Sequence, residues 1–139
     1  MSAQLAYRRG GIGAYATTDL EGRARAATPA ELMVMLFDAI DTSLRAARLH
    51  LQAGRIAEKA KALSRAVRLV NGGLRAPLDT HTDDPLSGQL VSLYAYVVRR
   101  LIEANASNDI GKLDEAARLL QDIGTSWRTV ATREATHAN

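Results

Sequence analysis

Between residues 56 and 74 the apolar side chains Ile56, Ala60, Leu63, Val67, Val70 and Leu74 recur at gaps of 4, 3, 4, 3 and 4. That spacing keeps one face of an α-helix apolar, whereas a strand would need apolar residues at every second position. A second row, Ile110, Leu113, Ala117, Leu120, Gly124, Trp127 and Ala131, repeats it near the end of the chain. Each is an amphipathic helix with one narrow inward stripe, and such a stripe is buried only when other helices cover it. Hydrophobic residues make up 47% of the chain and aromatic ones only 4%, so the apolar content is aliphatic. That mixture suits helices better than sheets. The fold class expected is all-α: an antiparallel four-helix bundle with an additional short or mobile N-terminal segment.

The few prolines mark where the helices begin. Thr28-Pro29-Ala30-Glu31 combines a capping hydroxyl, Pro at the first helical position and a carboxylate that can reach back to the cap. Asp84-Pro85 is a second start, after the turn-prone stretch from Leu78 to Asp83. Between them two helical stretches hinge near Gly54, and the second ends at Asn71-Gly72-Gly73 or shortly after, before Pro77. Ser107-Asn108-Asp109 makes the last break, because short polar side chains compete for backbone hydrogen bonds and then cap the next helix. Residues 1–27, with four glycines, four arginines and no sustained apolar period, read as a mobile arm, a short docking helix or a lid. Residues 28–133 form the bundle and 134–139 a disordered tail.

Several function classes drop out. At 139 residues the chain is one domain, long enough to bury about two thirds of its unfolded surface. The absence of Cys excludes disulfides, Cys-ligated zinc and thiol catalysis, and suits a reducing cytoplasm. No apolar run approaches the ~18 residues that would span a bilayer, so no stable membrane insertion is expected. The net charge of +3 comes from basic residues dispersed along the chain, which favours a solvated surface over a nucleic-acid site. His50, His81 and His137 lie far apart, and no metal, cofactor or catalytic residue is expected. One enzyme-like alternative remains, a histidine phosphotransfer-like helical bundle with His50 as phosphoacceptor.

Two segments hold more apolar residues than a bundle needs. After Pro85, Leu86, Leu90, Leu93, Val97, Leu101 and Ala104 form one inward stripe, and Val91, Tyr94, Val98 and Ile102 form a second about 110° away. The surplus serves either an extra bundle neighbour or a groove that receives an apolar helix from a partner. The run Leu32-Met33-Val34-Met35-Leu36-Phe37 is apolar on all sides for nearly two turns. The bundle, the N-terminal arm or a second protein must cover it.

These blocks resemble the flagellar secretion chaperones called FliS. Thr28-Pro29-Ala30-Glu31-Leu32 running into Met35-Leu36-Phe37-Asp38-Ala39 is similar to that family's Ser-Pro, Glu-Leu and Met-Leu-Tyr-Asp-Gly pattern. The most specific block is Ser92-Leu93-Tyr94-Ala95-Tyr96, continuing through Arg99-Arg100-Leu101-Ile102-Glu103-Ala104-Asn105 to Asn108-Asp109, and the third is the lone Trp127. Phe37 and Ala39 depart from the family's Tyr and Gly. The resemblance extends from about Ala14 to Val130.

The resemblance implies a cytosolic, non-enzymatic chaperone, a monomer or weak homodimer. It would bind the disordered C-terminal segment of flagellin, prevent premature polymerisation and deliver it to a flagellar export gate component of the type III apparatus; other flagellar regulators are further partners. Candidate partner-binding residues are Tyr15, Met33, Leu36, Phe37, Val91, Tyr94, Val98 and Ile102. Tyr15 aligns with an aromatic residue that covers part of the client site in the free chaperone. Thr28, Pro29, Asp38, Arg99, Arg100, Glu103, Asn105 and Trp127 carry the motif and are expected to be structural.

Overall fold

The computed structural model describes Gly22 and residues 26–81 and 83–138. Among these residues there are four α-helices and no strand: α1 (Pro29–Gln52), α2 (Ile56–Leu69), α3 (Pro85–Ser107) and α4 (Ile110–Ala138). Polar pairs give the directions. Asp38 meets Arg128, Asp41 meets Gln121 and Arg48 meets Asp114, so α1 and α4 run antiparallel. Ser43 meets Arg65 between α1 and α2, and Tyr96 and Glu103 of α3 meet Glu115 and Lys112 of α4. Each helix packs against the next and α4 closes against α1, which makes an antiparallel four-helix bundle.

Local chemistry explains the boundaries. The Glu31 N–H donates to Thr28 Oγ1 at 3.1 Å, with Pro29 at the first helical position. The chain leaves α1 through Gly54 at φ +76°, where the Arg55 N–H donates to the His50 carbonyl at 2.8 Å and the Gly54 N–H to the Leu51 carbonyl at 3.2 Å. This is a Schellman closure, and its left-handed residue favours glycine. Asp84 caps α3 through the Leu86 N–H at 3.1 Å. Asn108 ends α3 at φ 53°, and Asp109 Oδ1 accepts the Lys112 N–H to begin α4.

The glycine pair stands where regular α-helix is lost, and the π-helical turn that holds it ends at Arg75, before Pro77. After Leu69 the backbone widens into a π-helical turn over Val70–Arg75 and tightens into a 3₁₀ segment over Ala76–His81. Gly73 sits where an added Cβ would lie 2.7 Å from Leu36 Cδ2, so its missing side chain lets α1 approach. The C-terminus differs from expectation: α4 runs to Ala138, so residues 134–138 are helical rather than a disordered tail. No Gly or Pro interrupts that stretch, and Thr136 Oγ1 donates back to the Thr132 carbonyl.

The core contains Phe37, Ile40, Leu44, Leu63, Val70, Tyr94, Val97, Leu101, Leu113 and Leu120. Two residues assigned to inward stripes are exposed, Ile56 at 48% and Leu86 at 61%. Each stands in the first turn of its helix, where side chains lean back toward the helix start and past the packed layers. Lys59 goes inside instead, 2% exposed, with Nζ donating to the Asn105 carbonyl at 2.9 Å and to Asn108 Oδ1 at 2.6 Å. Its ammonium therefore satisfies the C-terminal end of α3, the negative end of that helix dipole.

Candidate functional site

The apolar surplus of α3 is divided by burial. Tyr94 and Val98 belong to the core, Val91 is half-buried, and Ile102 is 56% exposed. Burial pushes the Tyr94 phenol up to about 12. Ile102 borders a seam between α2 and α3 of about 260 Å³, lined by Leu63, Ser64, Val67, Arg68, Leu101 and Asn105. Leu63 and Leu101 are its buried floor. Val91 and Val98, eleven and four residues before Ile102, fall on the same side of α3 but outside the lining of the seam. The seam is thus an aliphatic strip with one protruding edge, suited to the apolar face of another helix.

A second opening lies where α1 begins and α4 ends. Val34, Met35 and Asp38 face Arg128, Ala131 and Thr132 across a cleft of about 780 Å³, with Ala26 and Ala27 at its rim. The over-apolar run is therefore shared among several surroundings. Leu36 packs on Gly73, Phe37 is buried against Gly124, Met33 borders the core, and Leu32 is exposed. Asp38 crosses the cleft to Arg128 at 2.7 Å, and Trp127 packs beside the core.

The α3–α4 side is closed by polar groups. Glu115 Oε1 accepts from Arg100 Nε at 2.6 Å and from the Tyr96 hydroxyl at 2.9 Å. Glu103 Oε2 meets Arg100 at 3.2 Å and Lys112 Nζ at 3.0 Å. The Arg100 hydrogen bond holds the Glu115 carboxyl below its ordinary range, and the Lys112 hydrogen bond does the same for Glu103. Arg99 and Arg100 both lie over the Tyr96 ring, 5.7 and 5.8 Å from its centroid. This geometry clamps two helices. Asn105 participates through its backbone carbonyl, as an acceptor for Lys59.

The candidate binding residues do not form one continuous surface. Ile102 edges the α2–α3 seam, Val91 lies eleven residues back along α3 toward the end of the bundle where Met33, Leu36 and Phe37 stand, and Tyr15 lies outside the described residues. Sequence reasoning missed the α2 wall, Ser64, Val67 and Arg68, because Val67 reads as core in an amphipathic helix. It also missed Lys59, whose acceptors lie far along the chain. His50 Nδ1 accepts from Arg55 Nε at 2.9 Å, so the phosphoacceptor of the alternative reading is engaged in the turn after α1. Among the described residues no helix is long and apolar enough to cross a membrane.

The fold and its openings define the class, an antiparallel helical bundle with an apolar seam left open to solvent. The family model described as "Flagellar protein FliS" matches residues 11–134. The chain is 36% identical over 127 residues to the flagellar secretion chaperone FliS of Salmonella typhimurium, covering 91% of this chain and 94% of that one. It is 35% identical over 122 residues to the FliS of Escherichia coli, covering 88% and 90%, and 29% identical over 108 residues to that of Bacillus subtilis, covering 78% and 79%. The chain belongs to the FliS family of flagellar secretion chaperones. It is a chaperone of that family and not an enzyme.

Proposed function

We propose that this chaperone acts in the cytosol, where it binds the disordered C-terminal segment of newly made flagellin, keeps it from polymerising and delivers it to the flagellar type III export apparatus. Family membership supports the flagellar role, and the observation that carries the binding mode is the α2–α3 seam, where exposed Ile102 stands beside a buried Leu63 and Leu101 floor. A segment built to form helices between filament subunits self-associates when bare, and an aliphatic seam offers it a substitute partner. Ordering the segment costs conformational entropy, which apolar burial offsets. The second opening, at Val34 and Met35, supplies another docking position on the same bundle. The arm carrying Tyr15 acts as a placeholder over part of the client site and is displaced on binding. Client release needs no nucleotide, because transfer to the export gate removes the client from the seam.

The test is flagellin polymerisation followed by light scattering. An equimolar amount of chaperone should suppress it, and Ile102→Asp should restore most of the signal while leaving the bundle folded. Polymerisation that proceeds unchanged in the presence of the wild-type protein would overturn the proposal.

A further inference from the structure

The carboxylates of this bundle avoid one of its faces. From Lys59 through Arg75 the chain carries five basic residues and no acid, and from Pro85 through Ile102 it carries Arg99 and Arg100 and again no acid. Glu103 turns to α4, where it meets Lys112, and pairs with Arg100 of its own helix. Glu58, in the first turn of α2, stands about 120° around that helix from Ser64 of the seam. On the other side of the bundle, Asp38, Asp41 and Asp114 are all engaged between α1 and α4. Asp79, Asp83 and Asp84 stand in the segment joining the two helices, so the seam between Leu63–Arg68 and Leu101–Asn105 has an aliphatic floor and no acidic side chain in its lining.

Only some of its cations are spent internally. Lys59 is buried on α3, Arg65 points to Ser43 of α1, and Arg99 and Arg100 lie over Tyr96. Lys61, Arg68 and Arg75 remain, spaced by seven residues. Within α2 that interval sets Lys61 and Arg68 on one edge, two turns or ~10 Å apart, and Arg75 follows at the end of the π-helical turn. Arg68 lines the seam itself, and Arg75 makes a hydrogen bond to Asn71 Oδ1. Among the described residues none of the three forms an ion pair, although the bundle pairs Arg45, Arg48, Arg100, Lys112 and Arg128.

We propose that the α2–α3 seam selects an amphipathic helix whose apolar stripe is edged by carboxylates at about seven-residue spacing, and that Lys61 and Arg68 read those carboxylates. This rests on the reading that the seam receives a client helix, and it assigns the chemistry of the segment seated there. The apolar floor provides affinity that is tolerant of sequence. The cationic row fixes register and rejects helices with basic edges, the usual role of charges at the rim of an interface. Phosphate backbones also attract such a row, but they would leave Ile102 uncovered.

Synthetic peptides with one common leucine stripe, edged by Glu in one and by Lys in its twin, test the selection by fluorescence anisotropy. The Glu peptide should bind about tenfold more tightly at low salt, and the difference should shrink to about twofold near 0.5 M salt. Ile102→Asp should weaken both peptides, which locates them in the seam. The double variant Lys61→Glu/Arg68→Glu should reverse the preference; if it fails to fold, Lys61→Gln/Arg68→Gln should reduce it. Equal affinities for the twins, a preference untouched by these variants, or displacement of the Glu peptide by duplex DNA would overturn the inference. A flagellin C-terminal peptide titrated in parallel separates the two proposals. If it binds in the seam but ignores salt and the row variants, the charge selection falls and the chaperone reading stands. If it fails to bind while the Glu peptide binds as described, the client assignment falls and the seam's selectivity stands.

Discussion

Gly54 and Gly72 both have open space where a Cβ would stand, yet they should respond to alanine in opposite directions. Gly54 lies at φ +76°, so Gly54→Ala places an L side chain in the left-handed region and should cost about 1 kcal/mol or more. Gly72 lies within a helical turn without that constraint, and Gly72→Ala should stabilise by up to ~1 kcal/mol. Urea unfolding of the two variants checks the pair, and equal signs would contradict this account of the turns. Lys59 makes the complementary point. Lys59→Met keeps the buried stem but removes both donors to the end of α3, and should cost about 1–2 kcal/mol in the same assay. Caps such as Thr28 were legible in the sequence because donor and acceptor lie three residues apart. Lys59 was not, because its acceptors are 46 and 49 residues away and only the assembled bundle brings them near.

At the level of the helices, boundaries were easier to read than faces. Pro29, Gly54, Asp84 and Asn108 act locally, and each stands where a helix begins or ends. Which apolar residues turn inward depends on neighbouring helices, so Ile56 and Leu86 fit the periodicity but protrude, while Tyr94 and Val98 join the core. The α3–α4 clamp leads to a pH prediction. Glu103 and Glu115 titrate below their unfolded value of about 4.5, so their contribution is complete above that value and is lost as the pH falls through and below it. The unfolding midpoint should drop on acidification through this range, and Glu115→Gln should shallow the decline. On the alkaline side, Tyr94 holds its proton up to about 12 while an unfolded tyrosine ionises near 10, so stability should also fall above about pH 10. A flat profile across the acid range would show that the clamp carries no ionisation-linked stability.

For the molecule as a whole, the sequence made the bundle and the family legible, because periodicity, caps and the α3 motif repeat features that any packed helix or relative must show. The client surface was only partly legible, since one α2 residue such as Val67 is core or seam wall depending on how closely α3 approaches. The proposed lid gives a prediction at this scale. Removing residues 1–20 should leave the melting temperature nearly unchanged and leave flagellin affinity equal or tighter. A large loss of thermal stability would instead make the arm part of the core.

The most direct measurement is a calorimetric titration of the purified protein with a peptide covering the C-terminal segment of flagellin. The account predicts saturable binding at micromolar concentrations or below. It also predicts that Ile102→Asp weakens this binding by about thirtyfold, roughly 2 kcal/mol from lost apolar burial and carboxylate desolvation, with an unchanged melting temperature. No binding heat with the wild-type protein at tens of micromolar would contradict it.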